Sequence, residues 1–487
     1  MGKCSVRRGL AGSLSLATLA GISPAFGTGG HCLLEGRTSV SDVTLAILLF
    51  ACGIFLIILL GRAWRLSFVT PGLLFPSFTF FGVLLYLPNS PYYIRSDGEL
   101  YLAWGQSLAE FWAVGSPPLI EPLWPGKGFW PLIIGAMSYL AGPVVVSPIV
   151  LNALILTIMA MVIDRTVALL GAKAPGWVLP LALLTSAPIL LFGPSLLREA
   201  IFWLGVSVGV LAIAHAGRSR YWPAAIYTLS SASLLLAVRP DAGVVIAYGF
   251  VTVTIWLFGF SCTQKMLSKR VASLLLFALV GLSFPAVFDF MRPDTSASDI
   301  DTAADALSNP KVVSAFGNSG PVNSDSPGNS GPVNSDSPGN SWWEVFCAES
   351  LGGAILCSAA ENLPHALLGP FPWEYGPELI WLIAGASGVH FLIVLGLAGW
   401  YLLRAQGRRL PALGIFLVAL LSMIMFSSIL TNYGILIRFR AATEIMLLPL
   451  AVSGFQGIVS QFGAQNRGGL KMPRSSFDGG GAVASES

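Results

Sequence analysis

The sequence predicts an all-α polytopic membrane protein with about 11–12 transmembrane helices and interfacial helices in its first large outer loop. Three observations carry that expectation. Of the 487 residues, 54% are hydrophobic and 10% charged, with a mean hydropathy of +0.74, whereas soluble domains carry roughly 25% charged residues. Apolar runs recur at lengths near the ~20 residues that cross a hydrocarbon layer. The basic residues fall on alternate loops.

The runs predict spans at 42–61, 69–88, 143–163, 176–193, 199–216, 222–238, 242–260, 271–288, 379–402, 411–430 and 436–457. Several contain Gly or Pro, which membrane helices tolerate better than soluble ones. Residues 9–27, following Lys3, Arg7 and Arg8, read as a signal peptide or one further helix. The chain then divides into an N-terminal segment (1–41), a membrane domain (42–288) with outer loop 89–142, a second outer loop (289–378), C-terminal helices (379–460) and a disordered tail (461–487).

Orientation follows from Lys and Arg in the short loops. Arg62, Arg65, Arg165, Lys173, Arg218, Arg220, Lys265, Lys269, Arg270, Arg404, Arg408, Arg409, Arg467, Lys471 and Arg474 share one side with the three at the N-terminus. That places 18 of the 27 basic residues there, with Asp164, Asp478 and Glu486 as its only acids. The C-terminus is expected in the cytoplasm, and the loops holding Asp97, Arg198, Asp241 and 289–378 outside. The outer loops lack an Asn-x-Ser/Thr sequon, which favours a bacterial inner membrane. No basic patch interleaves with aromatics, so nucleic acid is excluded as a partner.

The second outer loop holds a perfect 11-residue repeat, Gly-Asn-Ser-Gly-Pro-Val-Asn-Ser-Asp-Ser-Pro, at 317–327 and 328–338. Val322 and Val333 are its only apolar residues besides proline, so it reads as a flexible linker. Cys347 and Cys357 lie in the same loop and are able to pair in an oxidising compartment. No Cys/His spacing suggests a structural metal, and the four histidines are isolated in sequence. His365 reads either as an ordinary loop histidine or as an outward ligand or proton carrier.

The densest chemistry lies in the first outer loop, at Tyr92-Tyr93-Ile94-Arg95-Ser96-Asp97-Gly98-Glu99-Leu100-Tyr101. Ser96 and Glu99 form a capping box, so a helix is expected to begin at Asp97. Leu100, Trp104, Leu108, Phe111 and Trp112 mark one face of it, suited to lying in the membrane interface. Asp97 there is either a favourable charge at the helix dipole or a reactive carboxylate beside Arg95, Glu99 and Tyr101. Further on, Glu121, Trp124 and Lys127 lie in a rigid aromatic stretch leading to a second short helix near 130–141. Trp124 and Trp130 suit stacking on a sugar face and equally suit interfacial anchoring.

Ionisable groups also mark outward helix ends at Arg198-Glu199, Arg239-Pro240-Asp241, Arg292-Pro293-Asp294, and Arg438 with Arg440. Charge near hydrocarbon is expensive and so a functional candidate, and guanidinium groups bind phosphate bidentately. Arg198, Arg239, Arg438 and Arg440 are therefore candidate phosphate ligands, against the alternative of snorkelling or pairing with Glu444 or Asp241. Arg438 and Arg440, two apart, are expected on different helix faces.

This pattern resembles the integral membrane glycosyltransferases of the C-type fold, such as the aminoarabinose-transferring and protein-O-mannosyl-transferring enzymes. The resemblance runs over about 69–288 and 379–457. It is closest at Gly128–Leu170, with Gly142 before a span, Asn152 near its start and Asp164-Arg165 after it; Arg438 to Arg440 is similar to the family's last span. The resemblance implies transfer of a sugar from a polyprenyl-phosphate donor to an envelope glycan, lipid or protein acceptor at the outer face. It further implies that Asp97, matching the family's first-loop acid, acts as base toward the acceptor or helps hold a divalent cation. Two other readings stand beside it. A polymerase or ligase of surface polysaccharide would also use outward arginines. A transporter would place ionisable groups near the midplane and show repeated halves, whereas here the charges cluster at helix ends.

Overall fold

The computed structural model describes residues 40–86, 97–115, 128–172, 175–262, 363–364, 366–369, 379–404, 409–429 and 433–468. The protein is an all-α polytopic membrane protein, and all regular structure among these residues is helical. In chain order the helices are α1 (Val40–Trp64), α2 (Val69–Leu85), α3 (Asp97–Val114), α4 (Phe129–Ala141), α5 (Val146–Leu170), α6 (Val178–Thr185) and α7 (Ala187–Phe192). They continue with α8 (Glu199–Ala216), α9 (Tyr221–Val238), α10 (Pro240–Cys262), α11 (Leu379–Arg404), α12 (Arg409–Ile429) and α13 (Tyr433–Gly468). Eight of these helices are long and apolar enough to cross a membrane. The predicted span 271–288 lies outside the described residues, as do the repeat, Cys347, Cys357 and His365.

Helices α5 and α8 are buried along most of their lengths and form the centre, while α1, α9 and α11 turn most of their surface outward. Apolar side chains such as Ile47, Phe55, Trp222 and Leu229 are exposed there. In a chain whose solvent is lipid this is the expected face. In α2, Pro76 interrupts the hydrogen-bond ladder, and beside it the Ser77 and Thr79 hydroxyls donate to the Leu73 and Phe75 carbonyls at 2.7 and 2.9 Å.

Helix ends meet in two groups, as alternate crossing requires. At one end Asp42 of α1 is fully buried and caps α5. It accepts hydrogen bonds from the Val145, Val146 and Ser147 amides at 2.9, 2.9 and 3.0 Å and from the Ser147 hydroxyl at 2.6 Å. An anion at a helix N-terminus answers both the free amides and the dipole. At the other end Arg165 donates to the Trp64 carbonyl at 3.2 Å. Beside it Arg218 donates to the Leu169 carbonyl at 2.8 and 2.6 Å, and the Tyr401 hydroxyl to the Leu170 carbonyl at 3.0 Å.

Two expectations need correction, the span at 176–193 and the start of the tail. The stretch 176–193 is two short helices, α6 and α7, broken at Ser186 (φ −78°, ψ 101°). Pro188 at the second position of α7 has no N–H with which to continue the ladder. Helix α3 starts at Asp97 as the capping box predicts, with Leu100, Phe111 and Trp112 exposed as an interfacial face requires and Gly98, Tyr101, Gly105 and Leu108 turned to the protein. The reason is a close approach to α4: a Cβ on Gly105 would lie 2.5 Å from Ile134 Cγ2 and 3.0 Å from the Gly135 amide. The aromatics excluded from that contact are left for the interface, where Trp112 meets Tyr139 edge-on at 6.3 Å. Finally, α13 continues to Gly468, so the first residues assigned to a disordered tail are helical.

Candidate functional site

Between α7 and α8 the chain runs Gly193-Pro194-Ser195-Leu196-Leu197-Arg198 without helix. Irregular backbone at membrane depth must find partners within the protein, and here they are side chains. Asn152, fully buried on α5, donates through Nδ2 to the Ser195 carbonyl and, at 2.9 Å, to the Leu197 carbonyl. Trp130 Nε1 donates to the Leu196 carbonyl at 2.8 Å, and the Leu196 amide donates to the Tyr86 hydroxyl at 3.0 Å. Ser195 donates to the Phe192 carbonyl at 2.6 Å. This framework sets the N-terminus of α8 in one position.

That N-terminus presents Arg198 and Glu199. The Glu199 side chain is 2% exposed. Its Oε1 accepts from Arg239 Nη2 at 2.8 Å and lies 3.3 Å from Arg438 Nη1. Arg198, also buried, donates through Nη1 to the Val238 carbonyl at 2.7 Å. The Arg239 guanidinium lies 5.1 Å from the Phe439 ring centroid, and that of Arg438 lies 4.9 Å from Phe192. Phe439 stacks on Phe426 at 4.1 Å. Two guanidinium groups, from the α9–α10 junction and α13, thus rest on one carboxylate, and the charge of Arg198, from the loop before α8, acts on the same group. Glu199 Oε2 has no hydrogen-bond partner among the described residues. Aromatic faces hold the planar cations without consuming their N–H donors.

The start of α3 rests on the same framework. A Cβ on Gly98 would lie 2.7 Å from the Tyr86 hydroxyl and 3.2 Å from Leu196 Cβ. Glycine is therefore required for α3 to dock, and docking carries the Asp97 backbone to the loop that positions Arg198 and Glu199. Of the sequence candidates, Arg198, Arg239 and Arg438 come together, and Glu99 is half-buried on α3. Tyr101 is buried and meets Trp104 edge-on at 5.9 Å, packing α3 in place. Arg95, Glu121, Trp124 and Lys127 lie outside the described residues.

Arg440 does not join this group. It is fully buried and donates to the Ala366 carbonyl at 2.9 Å, the Gly369 carbonyl at 2.6 Å and the Ser387 hydroxyl at 3.0 Å. Its spacing from Arg438 does place the two on different faces. Among the described residues no three His, Cys, Asp or Glu side chains come close enough to hold a metal ion.

Glu199 entered the sequence reading only as a helix-end acid beside Arg198, Asn152 only as a landmark of the resemblance, and Tyr86 not at all. Asn152 had a readable signal, a carboxamide inside an apolar run. Glu199 had a weaker one, an acid adjoining Arg198 at a helix start. Nothing in the sequence pairs Glu199 with Arg239 and Arg438, which are 40 and 239 residues away. No family model, curated protein or solved structure matches the chain.

Proposed function

We propose that the protein is a membrane glycosyltransferase that moves a sugar from a polyprenyl-phosphate donor to an envelope glycan, lipid or protein acceptor. Its place would be a bacterial inner membrane, with the C-terminus in the cytoplasm and the Arg198–Glu199 end facing outward. The observation that carries this reading is the convergence of Arg198, Arg239 and Arg438 on Glu199 beside the first residues of α3. Polarised fork donors at one end of a helical bundle suit a phosphate whose lipid tail lies in the bilayer.

The chemistry follows from that placement. The acceptor hydroxyl attacks the anomeric carbon, the carbon–oxygen bond to the phosphate breaks, and polyprenyl phosphate leaves with the bonding electrons. Charge developing on the leaving phosphate is met by the guanidinium groups of Arg438, Arg239 and Arg198, held in advance by Glu199, Phe439 and Phe192. The acceptor proton passes to Asp97. Arg440 serves the fold, tying residues 366–369 to α11 and α13. The same arginines would also suit a polysaccharide polymerase or ligase holding a pyrophosphate-linked glycan.

The test is sugar transfer by purified protein in liposomes with a panel of labelled polyprenyl-phosphate sugars. Wild type is expected to release the lipid carrier, and Asp97→Asn to lose about 100- to 10,000-fold of that rate while remaining folded. Equal turnover by both proteins would remove Asp97 from the mechanism. Failure of folded wild type with every donor, but polymerisation of pyrophosphate-linked oligosaccharides, would select the second reading.

A further inference from the structure

The sequence places its charges at helix ends, but the structure contains an exception in the middle of the bundle. Glu444 is fully buried on α13, and its Oε1 lies 3.2 Å from His390 Nδ1 on α11. His390 and Glu444 are each the twelfth residue of their helix. Within the apolar spans Gly385–Arg404 and Ile437–Phe462 they are the sixth and eighth residues, about 8 and 11 Å along at ~1.5 Å per residue, inside the ~30 Å hydrocarbon layer. On its other side His390 Nε2 lies 3.2 Å from Thr185 Oγ1, the last residue of α6. Thr185 adjoins the break at Ser186, whose hydroxyl is buried with no hydrogen-bond partner among the described residues.

The hydrogen-bond directions define how the histidine is protonated. Thr185 uses its one hydrogen toward the Leu181 and Ala182 carbonyls at 2.8 and 3.2 Å. It can then only accept from His390, so the proton of the neutral ring sits on Nε2. Nδ1 consequently turns toward Glu444 either a lone pair or, when the ring is charged, a second N–H. Neither carboxylate oxygen of Glu444 accepts a hydrogen bond among the described residues. The polar atom facing this buried carboxyl group is His390 Nδ1 at 3.2 Å, and a proton held between the two satisfies both.

We propose that Glu444 and His390 form a proton-binding site at bilayer depth, holding one exchangeable proton between the carboxyl oxygen and Nδ1. When the proton leaves Glu444 for Nδ1, a carboxylate and an imidazolium form and no other atom changes hands. The site joins α6, at the break in its span, to α11 and to α13, which carries Arg438 six residues earlier. The other charges on elements packed against α13 do not intrude. Helix α7 has none, and α12 and α11 otherwise carry Arg409 and Arg404 at their termini. Asp164 and Arg165 of α5 and Glu199 and His215 of α8 lie toward helix ends, and Arg440 is bound to Ala366, Gly369 and Ser387.

Infrared difference spectra of the purified protein in liposomes, recorded against pH without any sugar donor, test this independently of the transferase reading. Wild type is expected to show a protonated-carboxyl C=O band that titrates, is missing in Glu444→Gln, and shifts its midpoint in His390→Gln by about one pH unit or more. The same band at the same midpoint in Glu444→Gln would overturn the proposal. If Glu444→Gln does not fold, His390→Gln and Thr185→Val decide it. Each removes one partner in the chain and should move the midpoint, and an unmoved midpoint in both overturns the site.

Discussion

Glu199, which the sequence marked only as a helix-end acid beside Arg198, carries a structural role of its own. Two guanidinium groups rest on one of its oxygens inside the protein, so Glu199→Gln should destabilise the fold by about 3–5 kcal/mol, because removing one partner leaves buried charge uncompensated. Loss of folded protein on heating in detergent measures this. Asn152→Ala is expected to cost about 1–3 kcal/mol for each carbonyl it orphans, at Ser195 and Leu197. It should also lower transfer activity, since those carbonyls belong to the loop that positions Arg198. Arg440→Gln separates two roles for an arginine near the site: stability should fall by about 1–3 kcal/mol while KM for the donor lipid stays that of wild type. A large rise in KM without loss of stability would return Arg440 to the donor site. Asp97 was legible because a capping box and a dipole rule act within four residues. Glu199 was hidden because its partners lie on other helices.

Helical periodicity found the interfacial element α3, and the pairing of α3 with α4 shows what decides the face that it buries. Both faces are apolar enough to bury, and the choice fell to the one with glycine at Gly105, since backbones approach closely only where no Cβ intervenes. Gly105→Leu should push α3 off α4, cost about 1–3 kcal/mol by overpacking, and reduce transfer with little change if α3 carries no functional group. Activity equal to wild type in that variant would show that α3 does not deliver Asp97 to the site. The break at Ser186 was likewise present in the sequence as Pro188. A proline in a membrane helix is compatible with a kink, a break or a continuous rod, and Pro76 in α2 shows the last of these. Neighbouring helices decide between them, because they either do or do not satisfy the freed backbone groups.

For the molecule entire, the grouping of helix ends makes a topological prediction. In a cysteine-free background, Val114→Cys and Ser219→Cys should react with impermeant maleimide from opposite sides of sealed vesicles, Val114→Cys from outside. Labelling of both from one side would refute the alternation of charge on which the orientation rests. The sequence by itself determined the class, most of the spans and which helix ends share a side, because those follow from transfer of single segments into lipid and from loop charge. It also marked Arg198, Arg239 and Arg438 as costly enough to need a purpose. Only the tertiary structure decided that Arg239 and Arg438 meet on Glu199 beside Arg198, that Arg440 stands apart, and that Glu444 finds His390 in the bundle. Those outcomes depend on which helices pack together, and in lipid that is settled by small residues and polar contacts between distant segments rather than by hydropathy.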